Sequence, residues 1–211
     1  MSLKIRNLKS SLFRILLLVP AGYWVYLIGS GSIGVDPAKT LNHKTGEIAL
    51  YYILFNLLLG ILISFSFRFP VFLRFLLMQR RFVGVLSFVF LIFHIFLYLT
   101  MEGFETKAWT QLVTKTYLIF GLGAWIILFA LAVTSNDFSV RRLGVKRWKR
   151  FHRLVYIASA LFTAHILSIE KTDLIKYGSL LLSLWGLQII RVLWVWRKKR
   201  ITRKVINAKQ V

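Results

Sequence analysis

Six long apolar runs limit what this chain can fold into: Leu12–Ile28, Ile48–Phe67, Phe82–Thr100, Tyr117–Val133, Phe151–Ile169 and Leu174–Trp196. About twenty apolar residues cross the ~30 Å hydrocarbon core of a bilayer as a helix. Backbone amides in lipid have no water to bond, so each run is expected to pair its amides internally as an α-helix. A soluble domain of 211 residues can bury a core without runs of this length. The spacing therefore predicts an all-α integral membrane protein, a bundle of six transmembrane helices forming one domain over residues 1–211. No segment between the runs is long enough for a separate folded module, and no internal repeat or low-complexity tract is evident. The first run follows Lys4, Arg6 and Lys9 and so also has the shape of a signal-peptide core. It is longer than most such cores, and six spans satisfy the charge pattern, so it is expected to stay as a span.

Charge alternates from one inter-span segment to the next. Lys4, Arg6, Lys9 and Arg14 precede or open the first run, and Arg68, Arg74, Arg80 and Arg81 lie between the second and third. Arg141, Arg142, Lys146, Arg147, Lys149 and Arg150, with Arg153 just beyond, separate the fourth from the fifth, and a further basic series runs from Arg191 to the C-terminus. The remaining segments hold only Lys39, Lys44, Lys107, Lys115, Lys171 and Lys176, together with Asp36, Glu47, Glu102, Glu105, Glu170 and Asp173. The positive-inside rule then puts both termini in the cytoplasm. A net charge of +22 could suggest nucleic acid, but these basic residues sit between apolar runs rather than on one polar face. Anionic lipid headgroups account for them better, and no nucleic-acid partner is expected. With no cysteine in the chain, disulfides, thiolate chemistry, iron–sulfur clusters and covalent haem attachment are excluded.

Gly29-Ser-Gly31-Ser-Ile-Gly34 matches the dinucleotide fingerprint G-x-G-x-x-G. That fingerprint functions between a strand and a helix whose N-terminus faces a pyrophosphate. Here it follows a transmembrane run on the outer face, so a turn is expected instead.

Histidines within membrane spans are costly and mark candidate functional sites. His94 lies twelve residues beyond Phe82, roughly 18 Å from the basic boundary, and His165 lies fourteen beyond Phe151, roughly 21 Å deep. Two imidazoles at nearly one depth on co-directional spans suit the two axial positions of a haem iron. Two core histidines, each bonded to a neighbouring hydroxyl or carbonyl, are the plainer reading. Zinc is poorly served, because no Cys or carboxylate shares that depth. His152 lies thirteen residues before His165, a rise of roughly 20 Å. Its counterparts on the third span are Arg80 and Arg81, whose guanidinium groups do not ligate iron but suit a haem propionate, a flavin phosphate or a lipid headgroup. His152 is open to three readings: a haem ligand with another sixth ligand, a contact to a flavin or quinone, or a plain helix-start histidine. On a straight helix it would face away from His165, some 220° round. His43, in Asn42-His43-Lys44-Thr45-Gly46, is expected to be an ordinary loop residue. The basic segment Arg141–Arg150 reads as an interfacial anchor with Trp148, and could also attract an anionic flavin or a soluble reductase.

Arg80-Arg81-Phe-Val-Gly-Val-Leu-Ser-Phe…His94…Tyr98-Leu resembles the third span of the MsrQ (YedZ) family, within the ferric-reductase-like transmembrane group. Arg142-Leu-Gly-Val-Lys-Arg-Trp148…His152-Arg-Leu-Val-Tyr156…His165 is similar to that family's fourth loop and fifth span. Gly34-Val-Asp-Pro-Ala-Lys…His43-Lys-Thr-Gly46 is similar to its first outer loop. The resemblance covers residues from about 15 to 200. It implies a haem-binding subunit of the bacterial periplasmic methionine-sulfoxide reductase system, in the inner membrane, serving oxidative protein repair. It further implies b-type haem on His94 and His165, His152 as a haem-associated residue, and bound FMN. Electrons would come from the quinone pool or a cytosolic flavin reductase and pass to a periplasmic molybdenum-containing reductase. Larger relatives carry a second histidine on the third span; Arg80 stands there, fourteen residues before His94, which leaves one or two haems. The chain is thus expected to carry electrons rather than reduce substrate itself. A small transporter or a cofactor-free anchor subunit is the alternative, although no acid lies deep in a span.

Overall fold

The computed structural model of the chain describes residues 3–65, 70–170 and 172–208, with side chains between 7 and 201 of these. Every regular element among them is helical: α1 (Leu3–Gly29), α2 (Pro37–Phe65), α3 (Val71–Met101), α4 (Thr106–Thr114), α5 (Thr116–Val133), α6 (Asp137–Leu143), α7 (Val145–Phe151), α8 (Val155–Leu167) and α9 (Leu174–Ala208). Five of them, α1, α2, α3, α5 and α9, are long and apolar enough to cross a membrane. The stretch expected as a fifth span, Phe151–Ile169, is built differently. A 3₁₀ turn at His152–Leu154 interrupts it, and α8 alone has 13 residues, about 20 Å of helix.

The helices also run past the apolar stretches. Pro37 opens α2 at its first helical position, and Asp36 caps it, accepting the Lys39 backbone N–H at 3.0 Å. His43 is therefore an exposed residue on the first turns of α2, not a loop histidine. Arg74, Arg80 and Arg81 lie on α3, which starts eleven residues before Phe82. The segment from Arg197 onward contains neither Gly nor Pro and continues α9 well beyond Trp196. Short helices α4, α6 and α7 replace segments that read as loops, with Asn136 capping α6. Arg68, Lys171, Lys209 and the Phe67 end of the second run lie outside the described residues, as do the side chains of Lys4, Arg6, Arg203 and Lys204. The Gly29–Gly34 segment forms the expected turn after α1: Ser30 N–H donates to Tyr26 O and Ser32 N–H to Leu27 O, and no strand precedes it.

The bundle is organised around two helix pairs, α2 with α3 and α5 with α8, and α9 lies against α2 and α8. Leu54, Leu57 and Ile61 of α2 meet Ala124, Phe162, Leu181 and Leu184 in the central core. The α1 helix closes the other side, with Trp24 against Phe90 and Phe13 against Phe75. Apolar side chains such as Leu16, Val25 and Leu182 face outward, as hydrocarbon solvent requires. Between membrane helices close contact comes from small residues rather than from the hydrophobic effect. Ala49 and Ser87, 0% and 1% exposed, supply it between α2 and α3, and Ser87 Oγ–H donates to Ala49 O at 3.0 Å. Ala49→Leu is expected to overpack this contact and cost about 1–3 kcal/mol. Thermal unfolding in detergent measures it, with Ala49→Ser as the variant that should stay close to wild type.

Candidate functional site

The structure brings His94 of α3 and His165 of α8 together, with ring centroids 6.5 Å apart and planes at 83°. Each ring is fixed by a main-chain carbonyl of a neighbouring helix. His94 Nδ1–H donates to Asn42 O on α2 at 2.9 Å, and His165 Nδ1–H donates to Tyr117 O on α5 at 2.7 Å. A carbonyl offers only lone pairs, so in both rings Nδ1 carries the hydrogen and Nε2 keeps its lone pair. The Asn42 side chain returns a bond of 2.7 Å from Nδ2 to His94 O.

A glycine four residues on from each carbonyl makes these bonds accessible. A helical side chain covers the turn on its N-terminal side, so a residue at 46 would lie over the carbonyl of 42. A Cβ at Gly46 would stand 3.0 Å from the His94 ring, and one at Gly121 would stand 2.9 Å from His165 Nδ1. Asn42…Gly46 and Tyr117…Gly121 are thus equivalent seats for the two imidazoles, one on α2 and one on α5. None of these four residues was singled out for the site from the sequence, where a glycine inside a helical run reads only as a weak point.

The α2–α3 contact repeats this seat at seven-residue steps. Seven residues on in α2 and seven back in α3, Ser87 Oγ–H donates to Ala49 O. Another step gives Arg80 Nη2–H donating to Asn56 O at 3.3 Å, with Gly60 four residues on and its missing Cβ 3.6 Å from Arg80 Nη2. With its amide oriented to donate, the Asn56 side chain also reaches Arg80 O at 3.3 Å, as Asn42 reaches His94 O. Arg80 therefore occupies a histidine-like seat, and α2 contains the pattern Asn-x-x-x-Gly twice.

His152 is placed differently. Its ring packs against Trp148, with centroids 4.0 Å apart and planes tilted by 33°, and Nε2 lies 3.2 Å from Thr134 Oγ1 at the far end of α5. The Thr134 hydroxyl donates to Ala130 O at 2.7 Å, so His152 Nε2–H is the donor to that oxygen and is engaged. Trp148 Nε1–H donates to Thr134 O, Arg81 lies over the Trp148 ring at 5.2 Å, and Arg81 pairs with Asp137. His152 reaches Thr134 at one end of α5 and His165 reaches Tyr117 at the other, and a 3₁₀ turn at His152–Leu154 separates the two histidines. Arg81 and His152 therefore share one cluster at the basic end of the bundle, while Arg80 points into the α2–α3 contact.

Two imidazoles with their Nδ1 hydrogens committed to carbonyls could hold a metal through Nε2. Across one metal, with bonds of about 2 Å and ring atoms about 1.1 Å from the ring centre, two imidazole centroids stand about 6.2 Å apart. The observed 6.5 Å is within a few tenths of that. Among the described residues no group of three His, Cys, Asp or Glu side chains could hold a metal ion. The pair accordingly fits a metal whose other ligands come from a macrocycle, and a haem meets that description.

Residues 45–163 match the family model described as ferric reductase like transmembrane component. Over 185 residues the chain is 32% identical to the protein-methionine-sulfoxide reductase heme-binding subunit MsrQ of Salmonella enteritidis PT4, covering 85% of this chain and 90% of the relative. It is 31% identical, at the same coverage, to the subunits of that name from Salmonella paratyphi B and Salmonella newport. No solved structure matches. The chain belongs to the ferric-reductase-like transmembrane family and, within it, to the MsrQ group. The matched segment runs from just before Gly46 to just short of His165, so it contains most of the two imidazole seats.

Gly46→Ala and Gly121→Ala should each push an imidazole off its carbonyl and cost about 1–3 kcal/mol through overpacking. Gly178→Ala, where nothing lies within 4 Å of the added carbon, is the control that should not lower the detergent unfolding temperature.

Proposed function

We propose that this protein is a membrane electron-transfer haem protein that holds a b-type haem between His94 and His165. The observation that carries the reading is the pair of imidazoles 6.5 Å apart, each with Nδ1 committed to a carbonyl and Nε2 free. A haem bound there supplies one-electron redox chemistry that no side chain of this chain offers. The chain's part is to position and tune. Asn42 O and Tyr117 O fix the ring orientations and, by accepting the Nδ1 hydrogens, raise the basicity of Nε2. Gly46 and Gly121 let the helices approach closely enough to hold both rings.

In this proposal the chain crosses the bacterial inner membrane six times as one domain, with the 3₁₀ turn and α8 making the fifth crossing and the basic α7 lying at the cytoplasmic interface. Both termini face the cytoplasm, on the strength of the basic segments at that end. Electrons arrive there from the quinone pool or a cytosolic flavin reductase. The Arg81–Trp148–His152 cluster lies at that end, and an anionic, planar donor such as FMN would take the place of Asp137 on Arg81 beside the indole. At the other end electrons leave to a periplasmic molybdenum-containing reductase that acts on methionine sulfoxide in proteins. The chain is the electron-transfer subunit of that system rather than the one that reduces substrate.

Visible spectra of the detergent-purified protein, oxidised and dithionite-reduced, test this. Wild type should give a low-spin b-type signal that His94→Ala and His165→Ala each abolish or convert to high spin, whereas His152→Ala keeps it. Flavin fluorescence released on denaturation, reduced in Arg81→Ala and Trp148→Ala, tests the FMN reading. A colourless wild type purified under ample haem supply would falsify the proposal and favour a transporter or an anchor subunit.

A further inference from the structure

A second site lies on α9, away from the histidine pair. Arg191 is half-buried and makes three hydrogen bonds, all to neutral acceptors: Ser64 Oγ at 2.9 Å, Tyr156 Oη, and Gln188 Oε1 at 3.1 Å. Among the described residues no carboxylate pairs with it, and Asp137, the one acid in the basic segments, is bound to Arg81. A cation at this depth calls for a negative partner. Gln188 beside it is 8% exposed, and its Nε2 has no hydrogen-bond partner among the described residues. Arg191, Gln188, Tyr156 and Lys199 line one groove of about 590 Å³. Arg191 and Gln188 thus stand at a groove whose described lining offers no countercharge.

The rest of the groove wall identifies the occupant. Ile189, Val192, Leu193 and Trp196 line it and are each more than half exposed on the outside of the bundle, so the groove opens toward hydrocarbon rather than water. Arg191 lies seventeen residues into α9, roughly 26 Å along its axis, which is close to one interface if Leu174 is close to the other. From there Arg197 to Arg200 extend the positive charge toward the headgroup layer. We propose that this groove binds an anionic phospholipid, with its phosphate on Arg191 and the Gln188 amide and an acyl chain along the apolar face of α9. Bridging Ser64 of α2, Tyr156 of α8 and α9 through Arg191, the lipid would lock α9 to the two helix pairs that hold the histidines.

Native mass spectrometry of the delipidated full chain tests the proposal, with phosphatidylglycerol and phosphatidylcholine of identical acyl chains as probes. Phosphatidylglycerol should form a one-to-one adduct with about five-fold higher occupancy than phosphatidylcholine, as a single basic contact at a membrane surface predicts. Gln188→Glu sets a carboxylate beside Arg191 in nearly the same shape. It should remove the preference without lowering the lipid-free unfolding temperature, which a purely structural glutamine would not do. Lys199→Ala should weaken the preference, and both variants serve if Arg191→Ala does not fold. Equal occupancy by the two lipids, or an undiminished preference in Gln188→Glu, overturns the proposal. So does displacement of the lipid by FMN or inorganic phosphate, which would assign the groove to a water-borne phosphate ester.

Discussion

In hydrocarbon a polar group must find its partner inside the protein, and this bundle meets that demand repeatedly with a main-chain carbonyl on the next helix. A carbonyl already bonded along its own helix keeps a second lone pair, and a side chain on a neighbouring helix can use it. His94, Ser87 and Arg80 do so on α2 at Asn42, Ala49 and Asn56, and His165 does so on α5 at Tyr117. Each contact needs the helices close enough for a side chain to reach main chain. Gly46, Gly60 and Gly121, with Ala49, leave that room, and the pairing of α2 with α3 and of α5 with α8 follows from it. The same bond that satisfies each imidazole also decides its tautomer, so helix packing and the chemistry of the site are set by one interaction.

Much of this was legible in the residues. Apolar run length indicated the membrane, and equal depth brought out His94 and His165, which the structure sets side by side. The boundaries were less legible because hydropathy marks where lipid begins, whereas a helix ends only where its backbone bonding ends. Asp36-Pro37 is a strong start signal that hydropathy overlooks, since it sits eleven residues before the apolar run. The basic stretch after Trp196 reads as a tail by charge but as helix by propensity. The 3₁₀ turn at His152 has no Gly or Pro to announce it.

The seats beneath the histidines were hidden for a different reason. Their chemistry lies in main-chain carbonyls, which no residue type announces, and in glycines, whose contribution is the atom they lack. Only the spacing betrays them: Asn42…Gly46 and Asn56…Gly60 are the same pattern fourteen residues apart on α2, as His94 and Arg80 are fourteen apart on α3. Each pair alone is unremarkable. Read together in antiparallel register, they align a histidine with one seat and an arginine with the other.

That alignment explains why the two ends of one helix pair differ in chemical capacity. Both seats present the same carbonyl, the same glycine and an asparagine that returns a bond to the α3 main chain. An imidazole seated there is left with a lone pair, because its one hydrogen goes to the carbonyl. A guanidinium seated there keeps its charge and has further N–H donors but no lone pair to offer. The His94 seat can therefore hold a metal against His165, while the Arg80 seat can only receive an anion or a dipole. His152, the nearest candidate for a second imidazole, has its Nε2 engaged with Thr134 and its ring against Trp148. The His94–His165 pair lies between α3 and α8, while Arg80, Arg191 and the Asp137-paired Arg81 lie toward the other end. A haem held at that pair, as proposed, would have its reduced state favoured by the field of Arg80 and Arg191. An arginine rather than a histidine at that seat would then act on the proposed haem site through charge as well as through the ligand it withholds.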